Sequence, residues 1–358
     1  MIPQSYFFYI AKIYSKNLIL MLLAITLAIT MVDYLQHAID EIVSTNQTIL
    51  YLFYTWEFRL SQFYPLAIVF SAVITYMNFI GSNTLVSLLS FGYTRRQLFI
   101  PFVLPALILY MILLLLQSGE FSYAKGRAQS ILNQTQNTRI VNDLFFKYND
   151  SFVYVKELDP IKKIIQNVTV FEIVDKKVHR AITLEHAKFN GRYWIAGSAI
   201  ETSKRYATDG TLDGFLSKEL SNYRLLEGYR PKVIELIYEG DSLSLLDALQ
   251  TYQILEKQSL DSSKIRSTFY LQVILPLFSF AIMTFLFFKT SYYDRYMKKE
   301  LVWALSLGGT LVVWGLLYAL HSLGSGGVVS PEIATILPVF VLLAYATCLY
   351  LGEKEKLV

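Results

Sequence analysis

Long apolar runs, uncharged but for Asp33, occupy both ends of the chain, and a polar, alternating stretch fills its middle. The runs cover about Asn17–Tyr34, Phe63–Ile80 and Leu98–Leu116 on one side, and about Phe269–Phe288, Leu301–Leu320 and Ile333–Leu351 on the other. Each is close to the ~20 residues that a helix rising ~1.5 Å per residue needs to cross a ~30 Å hydrocarbon layer. The pattern therefore predicts six membrane spans, three before the insert and three after it. A polar turn carrying Asp40, Glu41, Glu57 and Arg59 is expected between the first two spans. Pro101 and Pro105 predict a kink in the third span rather than a break, because neighbouring helices can satisfy the freed carbonyls. Lys12 and Lys16 before the first run could also head a secretory signal. The run is too long for that, and no small-x-small cleavage site follows it.

The middle reads as an antiparallel β unit. Leu144–Tyr148 and Phe152–Leu158 flank Asn149-Asp150, and Ile164–Val174 and Lys177–Leu184 flank Asp175-Lys176. Asn190-Gly191 joins Ala187–Phe189 to Arg192–Ala196, and both turn residues accept positive φ, which makes this the strongest hairpin signal in the chain. Alternation continues in Lys232–Tyr238. Many short strands with frequent turns predict a sandwich or jelly roll. Ser242 is expected to cap a helix carrying Leu243, Leu246, Leu249, Tyr252 and Leu255 at three- and four-residue steps. The expected organisation is residues 1–117 as spans one to three, 118–266 as the β unit with its helical return, and 267–358 as spans four to six.

Composition agrees with this mixed character: 54% of the 358 residues are hydrophobic and 17% charged, with a mean hydropathy of +0.40. A soluble globule would be less apolar, and a chain of spans alone less polar. Charge adds an orientation. Lys12, Lys16, Arg95, Arg96, Lys289, Arg295, Lys298, Lys299, Lys354 and Lys356 all fall beside one set of span ends, whereas the short loops at the other set hold only Arg59. By the positive-inside rule both termini are cytoplasmic and the insert lies outside.

Signals for catalysis are missing. No phosphate-binding Gly-rich loop, Gly-x-Ser-x-Gly elbow or His-Glu-x-x-His stretch occurs, and the single cysteine, Cys348, lies inside the last apolar run. The four histidines are scattered, so no metal site is expected. The cytoplasmic turn from Ser82 to Gln97 carries more information. Asn83 or Thr84 can cap a short helix whose apolar face is Leu85, Leu88 and Leu89, and Gly92 can end it in the left-handed conformation. Such a face must be buried in lipid headgroups or in a partner protein.

A three-plus-three layout around an external β insert, with this turn, resembles the lipopolysaccharide export permeases, the LptF/LptG family, over essentially the whole chain. The family's Ser-Glu-Leu…Gly-x-[Ser/Thr]-x-x-x-Leu coupling motif is similar to Asn83-Thr84-Leu85…Gly92-Tyr93-Thr94-Arg95-Arg96-Gln97-Leu98, with Thr84 where the family usually has Glu. Gly119-Glu120, Ser242-Leu243, Pro276, Pro331 and Pro338 also match, whereas Gln272 stands where Lys or Arg is common. Val32-Asp33-Tyr34-Leu35 and the spacing of Pro331 and Pro338 look more like the LptG branch. The resemblance implies a permease half-subunit of an ABC-type exporter in the bacterial inner membrane. It would pair with a paralogous permease and dock a cytoplasmic LptB-like ATPase dimer through residues 82–97, with Asn83, Thr84, Leu85, Leu88, Leu89, Gly92, Arg95 and Arg96 as contacts. Lipopolysaccharide would pass through an inserted periplasmic jellyroll-like domain to LptC-like and LptA-like partners. ATP and Mg would belong to the ATPase, with no cofactor in this chain. Asp33, Tyr34, Glu120, Lys125, Arg127, Lys264 and Arg266 are the candidates along the substrate path. Lys125, Arg127, Lys264 and Arg266 fall at the depth where phosphates would sit. Two other readings are another ABC-type permease, for efflux or cell division, and a membrane anchor that displays a β domain. Co-purification of a soluble ATPase separates transport from display.

Overall fold

The computed structural model describes residues 4–38, 42, 44–132, 141–148, 151–159, 162–174, 177–206, 212–229, 231, 234, 244–257, 262–291 and 298–353. These form two compact units, one of helices (1–128, 244–248 and 263–358) and one around the sheet (129–243 and 249–262).

Six helical segments in the first unit are long and apolar enough to span a membrane. They comprise α1 (Gln4–His37), α2 (Thr45–Gly81), α4 (Arg95–Gln117), the pair α7 (Ser263–Val273) and α8 (Phe278–Lys289), α9 (Lys299–Ser325) and α10 (Leu337–Gly352). Between α2 and α4 lies the short α3 (Thr84–Ser90), and α5 (Ala124–Leu132) follows α4 after one 3₁₀ turn. One expectation needs correcting. Glu57 and Arg59 lie within α2, not in a turn, because Arg59 finds its counter-charge, Asp33, on α1 and so loses its need for water. Asp40 and Glu41 fall outside the described residues.

Prolines divide the spans unequally. α4 runs unbroken through Pro101 and Pro105. At Pro276 the fourth span tightens into a 3₁₀ turn, Leu275–Leu277, between α7 and α8. There the Leu277 N–H turns to the Ile274 carbonyl at 3.1 Å, and Tyr110 Oη on α4 donates to the Val273 carbonyl at 2.9 Å. A neighbouring helix thus satisfies the acceptor that the ladder has given up. The sixth span opens with a π-type turn, Glu332–Ile336, after Pro331.

Burial ranks the spans. Within an apolar stretch of each span, 78% of α2 is buried, against 22% for α1, 11% for α9 and 22% for the span Glu332–Gly352 that contains α10. The unit is therefore organised on α2, and the other three turn most of their surface outward. One core joins α1, α2, α4 and α8 through Tyr14, Ile68, Tyr76, Phe102 and Phe287, and a second joins α2, α8, α9 and α10 through Leu66, Phe278, Leu317 and Val339. Gly324 sets the closest approach: a Cβ there would stand 2.8 Å from Ala334 Cβ and 3.7 Å from Ser267 Oγ. Only a hydrogen lets these backbones meet, as is usual where membrane helices pack.

The second unit holds one antiparallel sheet of β1 (Val141–Tyr148), β2 (Ser151–Asp159), β3 (Ile164–Val174), β4 (Lys177–Phe189), β5 (Trp194–Tyr206) and β6 (Leu212–Leu225), in sequence order. Among the described residues it is a meander of hairpins, without the long return connection of a Greek key. Two apolar rows cross four strands each, Phe146–Val153–Val170–Ile182 and Leu144–Val155–Val168–Leu184, because alternate residues face one side and the registers align them. Trp194 Nε1 donates to the Tyr229 carbonyl at 2.7 Å, and Tyr229 stacks on Phe146, so the chain after β6 closes over this face.

Three β expectations change. Lys177–Leu184 and Ala187–Phe189 form one strand, β6 is an additional strand, and the capping serine of α6 (Leu245–Lys257) is Ser244, whose Oγ accepts from the Asp247 N–H at 3.1 Å. Asn190-Gly191 does turn: Asn190 Oδ1 accepts from the N–H groups of Arg192 and Tyr193, and Gly191 has φ +103°. The turns at 149–150 and 175–176, Ser242 and Leu243 lie outside the described residues. So does the strand expected over Lys232–Tyr238, except Ile234, which is buried and helical.

At the margin of the apolar face, Arg180 donates through both Nε and Nη2 to Glu172 at 2.6 Å and through Nη1 to Glu201 at 2.9 Å. The bidentate bond to Arg180 holds the Glu172 carboxyl below its ordinary value. A depressed carboxylate contributes stability above its unfolded value of about 4.3, and this is lost as pH falls through the lower folded value. Amide protection factors in β3–β5, corrected for the intrinsic exchange rate at each pH, are accordingly expected to fall below about pH 4.3. The Arg180→Met protein should show a flatter response in the same measurement.

Candidate functional site

Three places carry the candidate residues, and the turn between α2 and α4 is the first. Leu85 is 2% exposed and belongs to the core of α1, α2, α4 and α8, with Leu88 and Leu89 half-buried against it. The face expected to enter headgroups or a partner is thus taken up by the chain's own spans. Burying Leu85 alone is worth about 1.5–3 kcal/mol, enough to fix a helix of seven residues that could not stand by itself. Asn83 holds the N-cap position with φ +54° but makes no side-chain cap. Instead Ser82 Oγ and Thr84 Oγ1 share a hydrogen bond of 2.7 Å.

The far end of α3 is tightly closed. Gly92 has φ +86°, its N–H donates to the Leu89 carbonyl at 3.0 Å, and the Tyr93 N–H donates to that of Leu88 at 3.3 Å. This is the Schellman pair that a left-handed glycine permits. Two residues later Thr94 and Gln97 form a reciprocal capping box at the start of α4. What the turn offers outward is Phe91, 80% exposed, beside the exposed Ser87 and Ser90. Phe91 was not among the expected contacts. A large aromatic directly before the helix-ending glycine is the signal that could have found it.

Arg95 and Arg96 are engaged with the ends of two later helices. Arg95 Nη1 pairs with Glu353 at 3.2 Å, and its Nη2 donates to the carbonyls of Phe287 and Thr290 at 2.6 and 3.0 Å. Arg96 donates through Nε to the Tyr350 carbonyl at 3.0 Å and through Nη2 to those of Leu351 and Glu353 at 2.8 and 2.7 Å. The two guanidiniums also lie over the rings of Phe288 and Tyr350. They occupy the carbonyl ends of α8 and α10, where a cation opposes the helix dipole.

Second are the opposite span ends, where topology gathers the substrate-path candidates. Asp33 accepts from Tyr51 Oη at 2.6 Å and from Arg59 Nη2 at 2.5 Å, so it joins α1 to α2. Tyr34 is half-buried next to it in the chain. Arg127 pairs with Glu120 and lies over the Tyr54 ring, and Lys125 Nζ lies 5.8 Å from the centre of the Phe58 ring. Arg266 Nη1 pairs with Glu332 at 2.6 Å, to which Tyr270 Oη also donates, whereas Lys264 is exposed. The seven residues therefore share one end of the helical unit, but the contacts that Asp33, Glu120, Lys125, Arg127 and Arg266 make are separate and do not join into one cluster. Tyr123 Oη donates to Asp247, whose carboxyl is pushed up by burial.

Third, the sheet unit contains a groove of about 400 Å³, lined by Tyr148, Val153, Val170, Glu172, Arg224 and Leu226 among others. Val153 and Val170 from the apolar rows line it together with the charged Glu172 and Arg224.

Six spans with α2 the most buried of them, together with an inserted antiparallel β unit, define a multi-pass membrane protein with an extramembrane domain. Among protein families, residues 8–352 match Lipopolysaccharide export system permease LptF/LptG. The chain belongs to that family and is a permease subunit of lipopolysaccharide export, placed in the inner membrane with other components of that system. The match does not separate the LptF from the LptG branch. No curated protein matches the chain.

Proposed function

We propose that this chain is one half of an ABC-type exporter, paired with a paralogous permease and driven by a cytoplasmic ATPase dimer seated on α3. ATP and Mg belong to that dimer, and this chain performs no hydrolysis. Both termini face the cytoplasm and the β unit lies in the periplasm, where its groove passes lipopolysaccharide to a partner β domain of like build. The observation that carries the reading is α3 itself: a short helix locked to the spans by Leu85, closed at both joints, with one aromatic side chain turned outward. A partner that pushes on such a helix moves the spans instead of bending a loop. The charge count supports a cytoplasmic position for that helix, where nucleotide is available.

Purification of the full-length chain from its native membrane in mild detergent tests this. Expected are a second permease chain and a soluble nucleotide-hydrolysing chain in fixed ratio. Recovery without any ATPase overturns the reading.

A further inference from the structure

We propose that Arg95 and Arg96 are positioning residues that carry a displacement of α3 into the second three-helix half, so that α3, α4, α8 and α10 move as one body at that end of the unit. The inference rests on the reading of α3 as the ATPase seat and adds the route by which its motion spreads.

Sequence proximity ties α3 only to α2 and α4. Its direct packing enters, through Leu85, the core that α1, α2, α4 and α8 share. Apolar contact of that kind does not by itself oblige the end of the last span to follow in direction. The two arginines supply the obligation. They stand in the first turn of α4, joined to α3 by the Schellman closure and the capping box, so little slack separates them from Phe91. Their guanidiniums reach five main-chain carbonyls and one carboxylate, all on or just after α8 and α10. A guanidinium is a rigid planar fork, and these bonds fix direction as well as distance. The carbonyls are those that a helix C-terminus leaves without intrahelical partners, so the attachment costs α8 and α10 no bonds of their own. Packing of Phe99 against Phe287, Phe288 and Tyr350 seals the same junction with apolar contact. A role in ATPase docking would instead need both arginines turned outward beside Phe91.

The complete exporter, reconstituted in lipid nanodiscs that contain lipopolysaccharide, provides the test. In the Arg95→Gln/Arg96→Gln variant the ATPase is expected to stay bound and to hydrolyse within twofold of the native rate, while lipopolysaccharide released per ATP falls at least tenfold. Unchanged release per ATP, or loss of the ATPase, overturns the proposal. Should the double variant fail to assemble, Arg96→Lys decides. It keeps the charge but loses the fork, and release per ATP should fall severalfold with the ATPase still bound; full release overturns the proposal. Motion is read separately from nitroxide labels at Ser87→Cys and Gly352→Cys in a Cys348→Ser chain. With native arginines the distance should stay constant on adding nucleotide, and with the glutamines it should change. A change with native arginines overturns the relay. Failure of the docking reading itself shows elsewhere, as ATPase retained on a Phe91→Asp permease.

Discussion

Phe91→Asp is expected to strip the ATPase from the permease while the six spans remain folded. The side chain is 80% exposed, so its replacement removes almost no intrachain contact, and surface changes of this kind alter stability by about 0.5 kcal/mol or less. At an interface the balance reverses. An exposed aromatic on a rigid support is the usual anchor of a docking surface, and its loss costs about 2 kcal/mol or more, roughly a 30-fold weakening. A carboxylate adds desolvation without a counter-charge. Co-purification should therefore fall below detection, with an unchanged thermal unfolding midpoint for the permease alone. Leu85→Asp provides the contrast. At 2% exposure it places a charge in the core and should lower the unfolding midpoint before docking is ever tested. An ATPase that binds the Phe91→Asp permease as it binds the native one removes the basis for α3 as its seat.

The contrast between these leucine and phenylalanine positions shows how far the sequence could be read. Apolar length alone located six spans, since the hydrocarbon layer admits few other structures. Their ends were less visible. α2 begins at Thr45, well before the apolar run, because Arg59 and Asp33 neutralise each other across two helices and tyrosines and tryptophan fill the remaining face. Nothing local announces a partner 26 positions away. The same holds more strongly for Arg95 and Arg96, whose partners lie 192 to 258 positions along the chain. In sequence they are only two cations beside one set of span ends. The Leu85, Leu88 and Leu89 stripe was legible as an apolar face, but periodicity cannot say whether the chain itself or another protein covers it. Strand β6 escaped notice because Ser217, Lys218, Glu219, Ser221 and Asn222 interrupt its apolar alternation, and its pairing with β5 is what makes it a strand.

Asp33 was a candidate for the lipopolysaccharide path, and its geometry leads to a different expected outcome. Asp33→Ala should destabilise the permease by about 3–5 kcal/mol, because it leaves Arg59 as an unpaired charge where neither side chain is more than 22% exposed. Tyr51 Oη would lose its acceptor at the same time. Replacing both charges with apolar groups of similar volume, as in Asp33→Leu/Arg59→Met, removes the unpaired ion and should recover most of that loss. Thermal unfolding in nanodiscs measures the first effect, and the double-mutant cycle gives the coupling between the two residues. Export measured on the same samples decides the role. A structural pair predicts that the apolar double variant, once folded, releases lipopolysaccharide within about twofold of native, since a shift of 0.4 kcal/mol or so is all that twofold represents. A double variant as stable as the native chain but unable to export would mean that one of the two charges meets the cargo. Asp33 would then regain its place on the substrate path, with Arg59 as the group that holds it there.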